Sequence, residues 1–235
     1  MATVTAKKTK FPTFADVQER LGHIPESRIL SYPAPGTATV QDLLDHSITG
    51  DRLVELVDGI LVEKAMGFRE GGLGLWIGTL FNIYLMDHNE GYAAGSDGMI
   101  RFKLDLVRMP DVSFIRWDSV EDPDEIENPA GAFFEYPPDL AVEVLSPSNT
   151  RKEMEIKLGE YVKVGVKLVW YVDPERKEVD VFPKANPKRK KTFTLADTLD
   201  GGDVLPGFTL PVAKIFEKRA PAQKPGKKGK PNGKR

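Results

Sequence analysis

Residues 139–145 read Asp-Leu-Ala-Val-Glu-Val-Leu and lie between Pro137-Pro138 and Ser146-Pro147. A short run of branched apolar residues bounded by prolines is a strand. Its period of two puts Leu140, Val142 and Val144 on one face and Ala141, Glu143 and Leu145 on the other. Both faces are apolar apart from Glu143, as in a central strand covered on both sides. Downstream, Thr150 and Glu153 have capping-box spacing, so a helix is predicted from Arg151. Met154, Leu158, Tyr161 and Val162 recur at helical spacing, and Gly165 is placed to close the helix in a left-handed conformation. Lys167 to Val172 is the next buried strand, turned by Asp173-Pro174 into a further strand, Glu178 to Phe182.

Upstream, Leu53–Val57 and Ile60–Glu63 flank Asp58-Gly59, a strong hairpin signal. An apolar helix is predicted over 71–87, a turn-rich connection over 91–98, and two antiparallel strands, 99–104 and 107–115, around Asp105. Residues 11–50 read as an irregular or helical lead-in with a short helix at Val40–Leu44, and 201–216 as loop plus a terminal turn. The order predicts an α/β (α+β) fold, a mixed sheet flanked by helices. A single domain is expected over 11–217, with flexible ends at 1–10 and 218–235, where Lys, Gly and Pro lack apolar partners.

Composition narrows the chemistry. The 235 residues contain no cysteine, which excludes a disulfide framework, a thiol nucleophile and thiolate metal sites. Residues 218–235 hold eight Lys or Arg and no acid, whereas residues 1–217 carry a net charge of −10. An acidic body thus precedes a basic tail, and the tail reads either as a solubilising end or as a nucleic-acid contact. The acids from Asp118 to Glu127 read as a solvated loop. The longest apolar stretch, Leu73–Met86, would span only about 21 Å as a helix, short of a bilayer core. With no leader-like segment in view, a cytoplasmic location is expected.

Glu143 inside an apolar strand must be neutral, paired with a cation or backbone amides, or bound to a metal. Asp111 follows Pro110 at a strand start and reads alone as a turn residue. Two carboxylates at the ends of neighbouring strands repel unless a cation sits between them, and an oxygen-seeking ion such as Mg²⁺ meets that need. Lys157 lies beside the apolar stripe of its helix. It reads either as a surface lysine pairing with Glu153 and Glu160, or as an ammonium reaching Glu143 to orient water or balance phosphoryl charge. Gly71-Gly72-Leu-Gly74 fails as a dinucleotide loop because the third glycine is missing, the three histidines lack metal spacing, and no phosphate loop or Gly-x-Ser-x-Gly elbow occurs.

The runs LVELVDGILVEKAMGFRE (53–70), MPDVSFI (109–115), the stretch from Pro137 to Phe182 containing EVLSPSN and Lys-x-x-x-Tyr-x-x-x-Gly-Val, and DGGDVLPGFTLP (200–211) resemble the Uma-two family of putative restriction endonucleases in the PD-(D/E)XK nuclease superfamily. The resemblance covers about residues 40–216. It implies a restriction-endonuclease-like core, with Asp111 and Glu143 holding Mg²⁺ (or Mn²⁺) together with the backbone carbonyl of Val144. The superfamily lysine two residues after the acid is Leu145 here, and the resemblance moves that role to Lys157. It also implies auxiliary roles for Glu70 at the start of the first core helix and for Glu55, and less clearly Glu63, in the first hairpin.

The expected activity is Mg²⁺-dependent hydrolysis of phosphodiester bonds, with DNA as the expected nucleic acid. Cutting both strands of a duplex favours a homodimer. The alternative is a catalytically silent nucleic-acid-binding or interaction module on the same fold. In either case Arg101, Lys103, Arg108, Arg116, Arg151 and Lys152 are candidates to rim the site of the acidic body.

Overall fold

The computed structural model describes residues 11–50, 52–65 and 67–217, so the two expected flexible ends lie outside the described residues. Capping residues set the helix boundaries. Thr13 with Asp16 opens α1 (Phe14–Leu21), Thr39 with Asp42 opens α2 (Val40–Thr49), and each pair forms a complete capping box. Strands β1 (Val54–Val57) and β2 (Ile60–Glu63) form the expected hairpin. Asp58 and Gly59 both have positive φ, 51° and 81°, which matches the twist of the flanking strands. Helix α3 (Phe68–Asp87) is followed by β3 (Gly91–Ala94), β4 (Ile100–Lys103), β5 (Leu106–Arg108), β6 (Val112–Arg116) and a short α4 (Asp124–Glu127). Then come β7 (Leu140–Val144), α5 (Arg151–Val164), β8 (Leu168–Asp173), β9 (Glu178–Pro183) and β10 (Lys191–Phe193). A last hairpin, β11 (Thr198–Gly201) and β12 (Leu205–Pro211), leads into α6 (Val212–Ile215).

Six strands, in the order β10-β9-β8-β7-β6-β3, form the principal sheet. Only β7 and β8 run parallel in it, joined through α5, and the remaining neighbours are antiparallel. Leu140, Val142 and Val144 pack with Ile77 and Phe81 of α3 and with Phe208 and Ile215 of the C-terminal elements. On the opposite face Ala141 and Val169 pack with Met154, Leu158 and Tyr161 of α5. Both faces of β7 are therefore covered, and a charged group on it is cut off from water unless it reaches the strand end. A second, four-stranded sheet, β2-β1-β5-β4, stands beside the first and carries its own apolar clusters with α1 and α2. The αL residue Gly22 ends α1 against the start of α5, where a Cβ would lie 2.3 Å from the amide nitrogen of Glu153. Glycine is required there by both φ and space. Among the described residues no helix is long and apolar enough to cross a membrane.

The mixed fold with flanking helices is as expected, but the strands differ in four places. They divide among three sheets rather than one, the third being the β11–β12 hairpin. The strand expected over 107–115 breaks at Met109-Pro110-Asp111, because proline cannot donate to a ladder; β5 belongs to one sheet and β6 to the other. The turn expected over 91–98 contains the edge strand β3. A Cβ at Gly91 would meet the carbonyl oxygen of Ile115 at 2.2 Å, so this glycine serves close strand approach. The loop expected over 201–216 is mostly β12 and α6, with a register shift between Asp200 and Gly201 that the same close approach explains. The short helix at Val40 runs on to Thr49.

Candidate active site

Alternation along β7 turns Glu143 toward α5, where its neighbours are one helical turn apart. Lys157 Nζ lies 2.9 Å from Glu143 Oε1 and 3.0 Å from Oε2, and the Tyr161 hydroxyl donates a short hydrogen bond to Oε1. Glu55 enters from β1. Its Oε1 lies 3.2 Å from Lys157 Nζ and accepts the Met109 amide at 2.9 Å, and its Oε2 accepts Arg108 Nη1 at 2.7 Å. Arg108 also donates through Nε and Nη2 to Glu160 Oε2, at 2.9 and 2.6 Å. Asp111 sits one residue beyond the Val112–Val142 pair, level with Glu143 on the neighbouring strand. Its amide donates to the Val142 carbonyl at 2.9 Å, and its Oδ2 accepts the Val144 amide at 2.6 Å. Its Oδ1 lies 2.8 Å from Nζ of Lys64, the residue that follows β2, and Lys64 also donates to the Ser96 carbonyl at 3.2 Å.

Glu55, Lys64, Arg108, Asp111, Glu143, Lys157 and Glu160 are all buried. Burial pushes the Glu55 carboxyl up, but Lys157, Arg108 and the Met109 amide outweigh it and hold the pKa down at about 2. Burial pushes Glu143 above the usual carboxylate range, with Asp111 and Glu55 adding to the rise against Lys157 and Lys64. Lys157 is held above its ordinary value because Glu143 and Glu55 overcome its burial. The Tyr161 phenol is raised by burial and by Glu143, so it stays protonated and donates. Glu143 is thus less compensated by the side chains around it than Glu55.

The two acids expected on adjacent strands stand at level positions of β6 and β7, each on its own lysine, and Lys157 reaches Glu143 rather than pairing on the surface with Glu153 and Glu160. Those two acids instead bind Arg28, and Arg108 with Arg20. Glu55 is part of the cluster, whereas Glu63 pairs with Arg52 on the surface. Glu70 is buried but folds back over its own helix start, its Oε2 close to Gly67, and shares none of the cluster's ion pairs. Val144 meets Asp111 through its amide. Of the bases expected to rim the site only Arg108 joins it. Arg101, Arg116, Arg151 and Lys152 pair with Glu135, Asp118, Glu155 and Glu19, and Lys103 is exposed. Sequence reasoning missed Lys64 and the hydroxyl of Tyr161. The second had a signal, its i+4 spacing from Lys157 on a helix facing Glu143.

Asp111 and Glu143 offer oxygen donors only, which suits a hard divalent cation such as Mg²⁺ or Mn²⁺. Burial first, and the Asp111 charge after it, raise Glu143, and a cation would relieve the second of these. No group of three or more His, Cys, Asp or Glu suited to a metal occurs among the described residues, so a cation here would rest on two carboxylates and backbone oxygen. A groove of about 250 Å³ opens beside Asp111, between α3 at Gly71, Gly74 and Gly78 and the segment Gly95–Asp97.

A mixed sheet covered by α3 and α5, with acids from adjacent strands meeting lysines at its end, is a restriction-endonuclease-like α/β architecture. Residues 40–213 match the Uma2 family, described as "Putative restriction endonuclease", and the chain belongs to that family. The fold is similar to the crystal structure of a putative nuclease belonging to DUF820 from Anabaena variabilis ATCC 29413. The TM-score is 0.61 at 18% identity, over 74% of this chain and 97% of that one. No curated protein matches the chain.

Proposed function

We propose that the protein is a divalent-cation-dependent endonuclease that hydrolyses phosphodiester bonds in DNA, with Mg²⁺ as the cation and Mn²⁺ able to replace it. The observation that supports this reading is the level placement of Asp111 and Glu143 on adjacent strands, with Lys157 Nζ 2.9 Å from Glu143. Asp111, Glu143 and the Val144 carbonyl would hold the cation. When bound, it supplies Lewis-acid polarisation of a phosphoryl oxygen and a lowered pKa for an attacking water. Lys157 contacts both oxygens of Glu143 and so fixes the carboxylate's orientation. Glu55, held ionised by Arg108, keeps Lys157 charged and in place. Tyr161 donates to Glu143 and shields it from competing partners. The groove beside Asp111 gives a nucleic-acid strand its approach. Cutting both strands of a duplex would use two copies of the chain.

A specific contact favours a second reading, a nucleic-acid-binding module without turnover: an ammonium already occupies Asp111. Plasmid cleavage with Mg²⁺ or Mn²⁺, compared across wild type, Asp111→Ala and Glu143→Ala, separates the two. The nuclease reading expects cleavage by wild type alone and cation-dependent thermal stabilisation lost in both variants. Equal cleavage in all three, or binding of DNA with no cleavage and no cation effect, refutes it.

A further inference from the structure

We infer that Lys64 is the resident counter-ion of Asp111, that a divalent cation must displace it, and that the displaced ammonium then serves the substrate phosphate. The inference rests on the cation-dependent reading above and goes beyond it by giving the site a second lysine with a separate task.

Both oxygens of Asp111 are engaged, one by a main-chain amide and one by an ammonium. Oδ2 is committed to the Val144 amide at 2.6 Å, and Oδ1 is taken by Lys64 Nζ at 2.8 Å, with the two side chains only 4% and 5% exposed. Lys157 cannot do this work. Its ammonium is shared between Glu143 and Glu55 and is held beneath the sheet by α5. Lys64 is placed differently: it follows the last residue of β2, and its other partner is a main-chain carbonyl, that of Ser96. Ser96 and Asp111 both line the 250 Å³ groove, so open volume adjoins the Lys64–Asp111 contact. Lys64 does not itself line the groove, but its flexible four-carbon stem gives the ammonium the rotatable bonds to leave Asp111 toward it.

Charge balance points the same way. The buried acids Glu55, Asp111, Glu143 and Glu160 face the buried bases Lys64, Arg108 and Lys157, and Arg20 on Glu160 is matched by its second partner Asp58, which leaves one negative charge in excess. Adding a divalent cation while Lys64 stays would leave one positive charge in excess, and both ions would compete for Oδ1. Adding the cation while Lys64 moves into the groove leaves the buried set neutral, the least costly arrangement in a low-dielectric interior. The released ammonium then lies next to the carboxylate that holds the cation, where a bound phosphoryl group gathers negative charge during hydrolysis.

The test is Mn²⁺ binding by the metal-stripped full-length protein without nucleic acid, read from the electron paramagnetic resonance of free Mn²⁺. Lys64→Met should bind Mn²⁺ about tenfold more tightly than wild type, because a competing charge is gone. Lys64→Arg keeps a competing cation and should stay within about threefold of wild type, while Asp111→Asn should lose binding. At saturating Mn²⁺, plasmid cleavage by Lys64→Met should nevertheless fall about tenfold or more. If Lys64→Met proves too unstable to titrate, Lys64→Gln replaces it, and its melting temperature should rise further with Mn²⁺ than that of wild type. Equal or weaker Mn²⁺ binding on removal of the ammonium overturns the inference while leaving the cation reading intact. Absence of Mn²⁺ binding in wild type overturns both.

Discussion

Replacing Glu55 by Gln removes one charge from the centre of the cluster while keeping an acceptor for the Met109 amide. In the folded protein this carboxyl titrates at about 2, against an ordinary value of 4.5, because Lys157 and Arg108 outweigh the effect of burial. A folded-state pKa below the unfolded one stabilises the fold at every pH above 4.5, and that stabilisation is lost as pH falls toward 2. The difference corresponds to about 3 kcal/mol at pH 7 and to about half of that at pH 3. Urea unfolding of full-length wild type and Glu55→Gln, followed by tryptophan fluorescence at both pH values, measures the gap directly. It should roughly halve between pH 7 and pH 3. A gap that is the same at both pH values would mean that Glu55 stabilises by packing rather than by charge. A gap below about 1 kcal/mol at pH 7 would mean that Arg108 and Lys157 do not depend on it.

Three further outcomes are expected. A Cβ at Gly72 meets nothing within 4 Å, whereas one at Gly74 lies 3.4 Å from Asp111 Cβ. Gly72→Ala should therefore stabilise α3 by up to about 1 kcal/mol with cleavage unchanged, and Gly74→Ala, whose methyl would stand in ordinary contact with Asp111 inside the groove, should reduce cleavage by narrowing it; melting curves and plasmid assays check both. Tyr161→Phe removes the hydroxyl donor to Glu143 and should slow cleavage about tenfold, the cost of one hydrogen bond to a charged group, measured under single-turnover conditions. Arg28→Ala strips a buried guanidinium from Glu153 and from the carbonyls of Glu63 and Ser148, and should cost about 3–5 kcal/mol by denaturant titration, with the start of α5 losing hydrogen-exchange protection first.

The parts of the molecule legible in sequence are those governed by local rules. The Thr150–Glu153 capping box and the αL Gly165 bound α5 as expected, Asp58-Gly59 made its hairpin, and the alternation in 140–144 assigned Glu143 to the face it occupies. Pro110 flagged the strand start that places Asp111, although not the change of sheet that accompanies it. The misses are non-local. Gly91 and Gly201 look like turn residues because the same lack of a Cβ that allows a turn also allows a neighbouring strand to come close. The burial of Lys157 depends on Glu55, which is 102 positions away and on the other sheet from Glu143. Lys64 pairs with an acid 47 positions downstream, and nothing beside it in the chain announces the contact.

The break at Met109-Pro110-Asp111 has a kinetic consequence. On its near side Arg108 closes the four-stranded sheet and binds Glu55 and Glu160; on its far side Asp111 begins the six-stranded sheet and meets Glu143's strand. The reactive constellation therefore straddles a seam, and neither half of the molecule contains it alone. A chain still emerging from the ribosome, or one with a single sheet melted, holds every acid and lysine yet cannot bring them together. The buried ion-pair cluster therefore requires both sheets to be in place, and it is lost with whichever sheet melts first.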